Sequence, residues 1–277
     1  MRILVGALML IPFFASAGNG RKALPEPSEK IQRYLSLYLH ADNSSAVSEE
    51  VFSFVGKLQN KQTSFKDRGE FLEYVFNKTH QRFLKNFVEY ASFGDLLNKG
   101  SYNCLTGTAL YALILDHFDV SYQVIETNYH IFLLAQTGSG SVLFEATDPT
   151  NGFVSDSKEI EKRIEGYRQN AIQKAETSKT FYRYNFELYN EVNLDEMLGL
   201  LHYNLSIAAY NQHNLSLSID HLGKAMELYQ SPRIEEFSRI ILLSVVEGNL
   251  DPAEKEKCVE NIRALLKKHL VITASKN

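Results

Sequence analysis

Residues 100–118, GSYNCLTGTALYALILDHF, followed after a short gap by residues 122–152, YQVIETNYHIFLLAQTGSGSVLFEATDPTNG, decide the fold class. In the first stretch Leu105, Ala109, Leu110, Ala112, Leu113, Ile114 and Leu115 cover most of a helical circumference. A helix that is apolar all round belongs in the middle of a core. The second stretch changes period. Tyr122 to Glu126, Tyr129 to Gln136 and Ser141 to Ala146 are short runs rich in β-branched and aromatic residues. Thr137-Gly138-Ser139-Gly140 between the last two is a hairpin signal. One buried helix against a small antiparallel sheet is an α+β arrangement.

Outward from this centre the chain is helical on both sides. Toward the N-terminus, Ile31, Tyr34, Leu35 and Tyr38 fall at i, i+3, i+4, i+7, and Val51, Phe54, Val55 and Leu58 repeat that spacing. Phe71, Leu72, Val75 and Phe76 repeat it again after Ser64-x-x-Asp67, a start signal. Helix is therefore expected from Ser28 to about Asn98. Beyond the hairpin, Lys158 to about Ala175 reads as a charged helix, and Tyr182 to Leu188 alternates as one more strand. Leu194 to Asn211 with Leu215 to Tyr229, and Arg233 to Glu247 with Pro252 to Leu270, read as two antiparallel helix pairs. Their turns, at Gln212 and Glu247, are 35 residues apart, near a tetratricopeptide period. Stacked helix pairs make concave partner surfaces, so a protein partner at the helical repeats is one expectation. A helical cap on the main core is the other.

The N-terminus reads MRILVGALMLIPFFASAGNG: a basic Arg2, an apolar run from Ile3 to Ala15, and the small-x-small Ala15-Ser16-Ala17. That is the pattern of a secretory signal peptide over residues 1–17, too short for a membrane span. An exported chain, periplasmic or secreted, with no membrane attachment after cleavage, is expected.

Composition narrows the function classes. The 277 residues carry a net charge of −4, 44% hydrophobic residues, 15 Tyr, 17 Phe, no Trp and two Cys. That is too apolar for a disordered chain and too poor in cysteine for a disulfide scaffold. A pI near 6.1 argues against nucleic acid. The histidines show no zinc-ligand spacing and there is no glycine-rich phosphate loop, so neither metal nor cofactor is expected.

The chemistry centres on Cys104. Asn103 is a favoured N-cap, which places Cys104 in the first turn of the buried helix, where the helix dipole and exposed N–H groups favour a thiolate. With the hairpin symmetric about Ser139, His130 stands opposite Asp148, and the face carrying His130 also carries Phe132, Leu134, Val142, Phe144 and Ala146. The Cys104 helix is expected to pack on that face. Nucleophile, base and orienting carboxylate would then converge. The bland alternatives are a structural thiol or a disulfide with Cys258, a satisfied core histidine, and a turn aspartate. Cys258, with Ile262 and Leu265 at i+4 and i+7, reads as a packing residue.

These residues resemble the transglutaminase-like superfamily, papain-type α+β proteins, and within it the bacterial group with a C-terminal tetratricopeptide region. The matching stretches are Gly100 to Thr106 with Leu110-Tyr111, Tyr129-His130-Ile131-Phe132, and Thr147 to Gly152, followed by Tyr203-Asn204-Leu205 and Ala209-Tyr210. The resemblance implies a transglutaminase-like domain over 28–192, a tetratricopeptide-like region over 193–272, and a catalytic Cys104, His130 and Asp148. The family commonly places a Gln before the cysteine as oxyanion donor. Here Asn98 is the candidate, and Phe132 stands where a Trp often follows the histidine. The expected activity is that of an exported cysteine hydrolase or acyltransferase, a peptidase or amidase on a peptide or protein substrate. The second reading is a catalytically inactive scaffold that binds a protein or peptide through its helical repeats.

Overall fold

The computed structural model describes residues 26–46, 48–177, 186–249 and 251–276. The leader pattern at 1–17 and the positions 182–185 of the expected strand lie outside the described residues; residues 186–188 are not strand, and the strand there is Tyr189–Val192. The fold is α+β. Three helices come first: α1 (Glu29–Ala41), α2 (Glu49–Gln62) and α3 (Arg68–Phe83). Helix α3 starts at its cap Asp67, whose carboxylate accepts from the Glu70 N–H, so Ser64 lies outside it. The helical pattern expected up to about Asn98 is interrupted by strand β1 (Asn86–Phe87) before the short helix α4 (Phe93–Lys99). β1 pairs in parallel with β2 (Ser101–Tyr102). Gly100 ends α4 at φ +71, in the left-handed region where a side chain is strained.

Helix α5 (Cys104–His117) is the centre of the molecule. Every residue from Leu105 to Leu115 is buried. Its sheet has the order β6-β5-β4-β3-β7, all antiparallel, built from β3 (Tyr122–Thr127), β4 (Ile131–Gln136), β5 (Ser141–Phe144), β6 (Phe153–Val154) and β7 (Tyr189–Val192). The sheet is covered on both sides. Ile131, Leu133, Ala135, Val142, Phe144 and Ala146 join the main core with α5. Phe132 and Leu143 belong to a smaller core under α6 (Ser157–Thr177), with Ile160, Ile164 and Tyr167.

That division corrects the expected inward face. Phe132 and Leu134 do not share a face with Val142 and Phe144. The cause is the turn. Gln136 pairs with Ser141 and Leu133 with Phe144, so the hairpin's midpoint falls between Gly138 and Ser139, not on Ser139. Moving the register by one residue exchanges the faces of one strand relative to the other. On the sheet surface toward α5, Gly107 lets the helix approach closely: a Cβ there would sit 2.8 Å from Ala146 Cβ.

Four helices close the chain: α7 (Leu194–Asn211), α8 (Leu215–Leu228), α9 (Pro232–Glu247) and α10 (Pro252–Lys276). α7 and α8 run antiparallel, since Gly199 lies by Tyr229, His202 by His221 and Ser206 by Ser218. These helices share the main core. Met197, Leu201, Leu222, Ile241, Cys258 and Ile262 belong to the same cluster as Leu110 and Phe144. Tyr38 of α1 donates to the Leu194 carbonyl at 2.9 Å, fastening α7 to the first helix. No described helix is long and apolar enough to cross a membrane.

Candidate active site

The site is assembled from the start of α5, the turn between β3 and β4, and the end of β5. At α5 the cap is doubly made. Asn103 Oδ1 accepts from the Thr106 N–H at 2.9 Å, and the Thr106 hydroxyl accepts from the Asn103 N–H at 3.0 Å. Asn103 Nδ2 donates to the carbonyls of Glu89 and Ala91, at 2.9 and 3.1 Å. Asn103 is 2% exposed, so one buried side chain fixes both the first turn of α5 and the loop beside it. The Asn103 carbonyl takes the Gly107 N–H at 3.0 Å. The N–H groups of Cys104 and Leu105 are among the first-turn donors that an α-helix cannot satisfy internally. Cys104 is a free, half-buried thiol on the wall of a cleft.

His130 ends a tight turn. Its carbonyl accepts from the Thr127 N–H at 2.8 Å, and its N–H donates to the Thr127 hydroxyl at 3.1 Å. Its Nε2 donates to Glu145 Oε2 at 2.5 Å. The other oxygen of Glu145 accepts from the Thr147 N–H at 2.9 Å and from the Thr147 hydroxyl at 2.5 Å. The Tyr167 ring lies 4.6 Å from the His130 ring. Burial alone would lower the His130 pKa. Its interactions with Cys104 and with Glu145 outweigh it and raise the imidazole to about 10. Burial likewise works against ionised Glu145, but the bonds from His130 and Thr147 prevail and hold the carboxyl at about 2. With Nε2 on Glu145, Nδ1 is the ring nitrogen left for the thiol. Cys104 and His130 thus line the same cleft, with Glu145 bonded to the imidazole.

Asp148, expected to orient His130, stands elsewhere. Its Oδ1 accepts from the N–H groups of Thr150 and Asn151, at 3.3 and 2.8 Å, and its Oδ2 meets Arg163 at 3.4 Å. It organises the turn after β5. The correction follows from the register. Partners across the hairpin place Glu145 diagonally from His130, on the α6 side of the sheet, and a glutamate is long enough to reach a diagonal neighbour. Glu145 is thus the carboxylate on His130 that sequence reasoning missed, and the midpoint of the four-residue turn was the signal for it. Asn98, the candidate oxyanion donor, sits on α4, donates to Ser44 Oγ at 3.3 Å and does not line the cleft.

The cleft has a volume of about 560 Å³, within the usual size of ligand sites. Cys104, Leu105, His130 and Ile131 form one side, and α7 and α9 the other. At its base Arg233, in the first turn of α9, donates to the carbonyls of Thr127 and Asn128, and its Nε lies 3.4 Å from Glu126 Oε1. Glu126 is 1% exposed and accepts from the Tyr229 hydroxyl at 2.6 Å. The helical region therefore grips the turn that presents His130. Among the described residues no cluster of His, Cys, Asp or Glu could hold a metal ion. Comparison of this chain with family models, with curated proteins and with solved structures returns no match.

Proposed function

We propose that this chain is an exported thiol enzyme with a transglutaminase-like core, which opens amide or related acyl bonds through a Cys104 acyl-enzyme. One observation carries the reading: a half-buried thiol at a helix start and an imidazole on the same cleft, with a buried carboxylate on the imidazole Nε2. A thiol, a base and an orienting group in line are what nucleophilic acyl transfer requires.

In this reading the Cys104 sulfur attacks the substrate carbonyl carbon, and the N–H groups of Cys104 and Leu105 face the developing oxyanion. The C–N bond breaks, and the sulfur's proton passes through His130 to the departing amine. Water then attacks the thioester with His130 as base, releasing a carboxylic acid and restoring the thiol. An amine in place of water would give transamidation. Glu145 holds the ring and balances its charge. The helix pairs α7–α8 and α9–α10 would correspond to the tetratricopeptide-like region, and the leader pattern at 1–17 supports export.

The test uses p-nitrophenyl acetate as the acyl donor. The expected result is one acetyl group on the peptide containing Cys104, retained in Cys258→Ser and lost in His130→Ala. Acetylation that is absent, or equal at both cysteines, would leave a non-catalytic scaffold as the better description.

A further inference from the structure

The cleft's far wall is unusual for a helix pair that also builds the core. On α7, Leu200, Tyr203, Ile207 and Tyr210 fall at i, i+3, i+7 and i+10, a single stripe, and that stripe lines the cleft. Phe237 and Ile240 of α9 continue the apolar surface. Tyr203 and Tyr210 each meet Phe237 edge-on, with ring centroids 5.7 Å apart in both cases. The Tyr210 hydroxyl bonds to Ser244 of α9 at 2.5 Å, locking the two helices at this level. The wall is therefore largely apolar, with Asn204 and Asn211 of α7 beside the stripe, braced, and across the cleft from Cys104 and His130.

Charge is confined to the edges. Glu126 is paired with Arg233 at the base, His130 with Glu145 on the opposite side, and Glu89 is exposed at the rim. A charged substituent placed against Ile207 and Ile240 would lose hydration and meet no counter-ion on the wall. An apolar one would cover surface that water now wets.

Resting on the acyl-transfer reading, we propose that the α7–α9 wall is a substrate subsite selecting a bulky apolar side chain on the acyl donor, so that the helical region chooses the substrate for a thiol carried by the α+β core. The site adjoins the reacting sulfur, so the occupant is the substrate's own side chain and not a separate partner.

The test labels the full chain with acetylated amino-acid acyloxymethyl ketones carrying a Leu, Glu or Lys side chain, with adduct formation at Cys104 followed by mass spectrometry. Chloroacetamide, which has no side chain, is run beside them. The Leu probe is expected to react roughly tenfold or more faster than the Glu and Lys probes, the usual scale of pocket discrimination. In Ile207→Glu the Leu-to-Lys ratio is expected to fall to about one or invert, and Ile240→Glu gives the same reading from the other helix. Equal rates for the three probes, a preference for Glu or Lys, or a ratio unmoved in both variants would overturn the subsite. Chloroacetamide that reacts no faster at Cys104 than at Cys258 would instead overturn the acyl-transfer reading itself.

Discussion

The residue that most alters the chemistry is Glu145. It is the carboxylate bonded to His130, and its ionised state is tied to the folded structure by that bond and by Thr147. Its carboxyl is held down from 4.5 to about 2, so its contribution to stability is full above pH 4.5 and lost as the pH falls toward 2. His130 has the opposite sign. Raised from 6.5 to about 10, its contribution is full below pH 6.5 and lost as the pH climbs through 10. We expect the thermal midpoint of the native chain to fall across both windows, and Glu145→Gln to flatten the acid one. A Glu145→Gln profile as steep as the native one between pH 4.5 and 2 would contradict the pairing. Sequence reasoning reached Cys104 and His130 because each sits at an element boundary that local patterning marks. It could not reach Glu145 without the half-residue that separates a turn centred on Ser139 from one centred before it.

At the scale of elements, two close contacts set the site. Gly107 lets α5 lie against the end of β5, with Ala146 where a side chain would go. Gly107→Ala is expected to cost about 1–3 kcal/mol by overpacking, read by urea denaturation, and no change in midpoint would show that the contact has slack. Arg233 joins α9 to the β3–β4 turn. Its removal leaves the buried Glu126 carboxyl without its guanidinium partner, so Arg233→Ala is expected to lose about 3–5 kcal/mol, with much of the loss recovered in the Arg233→Met, Glu126→Gln pair. If the single and double variants denature alike, the ion pair carries no such weight. Most elements were legible from local composition and period: α5 from its uniform apolarity, β3 to β5 from short β-rich runs and the turn between the last two, α7 and α8 from their helical pattern. The two-residue strands β1, β2 and β6 were not, because so short a run has no period. Nor was the Arg233 contact, which joins residues more than a hundred positions apart.

Across the whole molecule, one hydrophobic core runs from Ile31 to Ile262. Tyr38 bonds to Leu194, α5 packs on α7, and the cleft needs both parts to exist. The full chain is therefore expected to unfold in one transition, with fluorescence and far-ultraviolet signals coincident. Two resolved transitions would show that the helical region folds independently. The central claim, that Cys104 is activated by His130 and Glu145, is tested most directly by alkylation with chloroacetamide at neutral pH, with Cys258, 5% exposed, as the internal reference. The account predicts that Cys104 reacts far faster than Cys258, that His130→Ala and Glu145→Gln each slow it by about tenfold or more, and that Asp148→Asn does not. Cys104 reacting no faster than Cys258, or Asp148→Asn slowing it as much as Glu145→Gln, would contradict it.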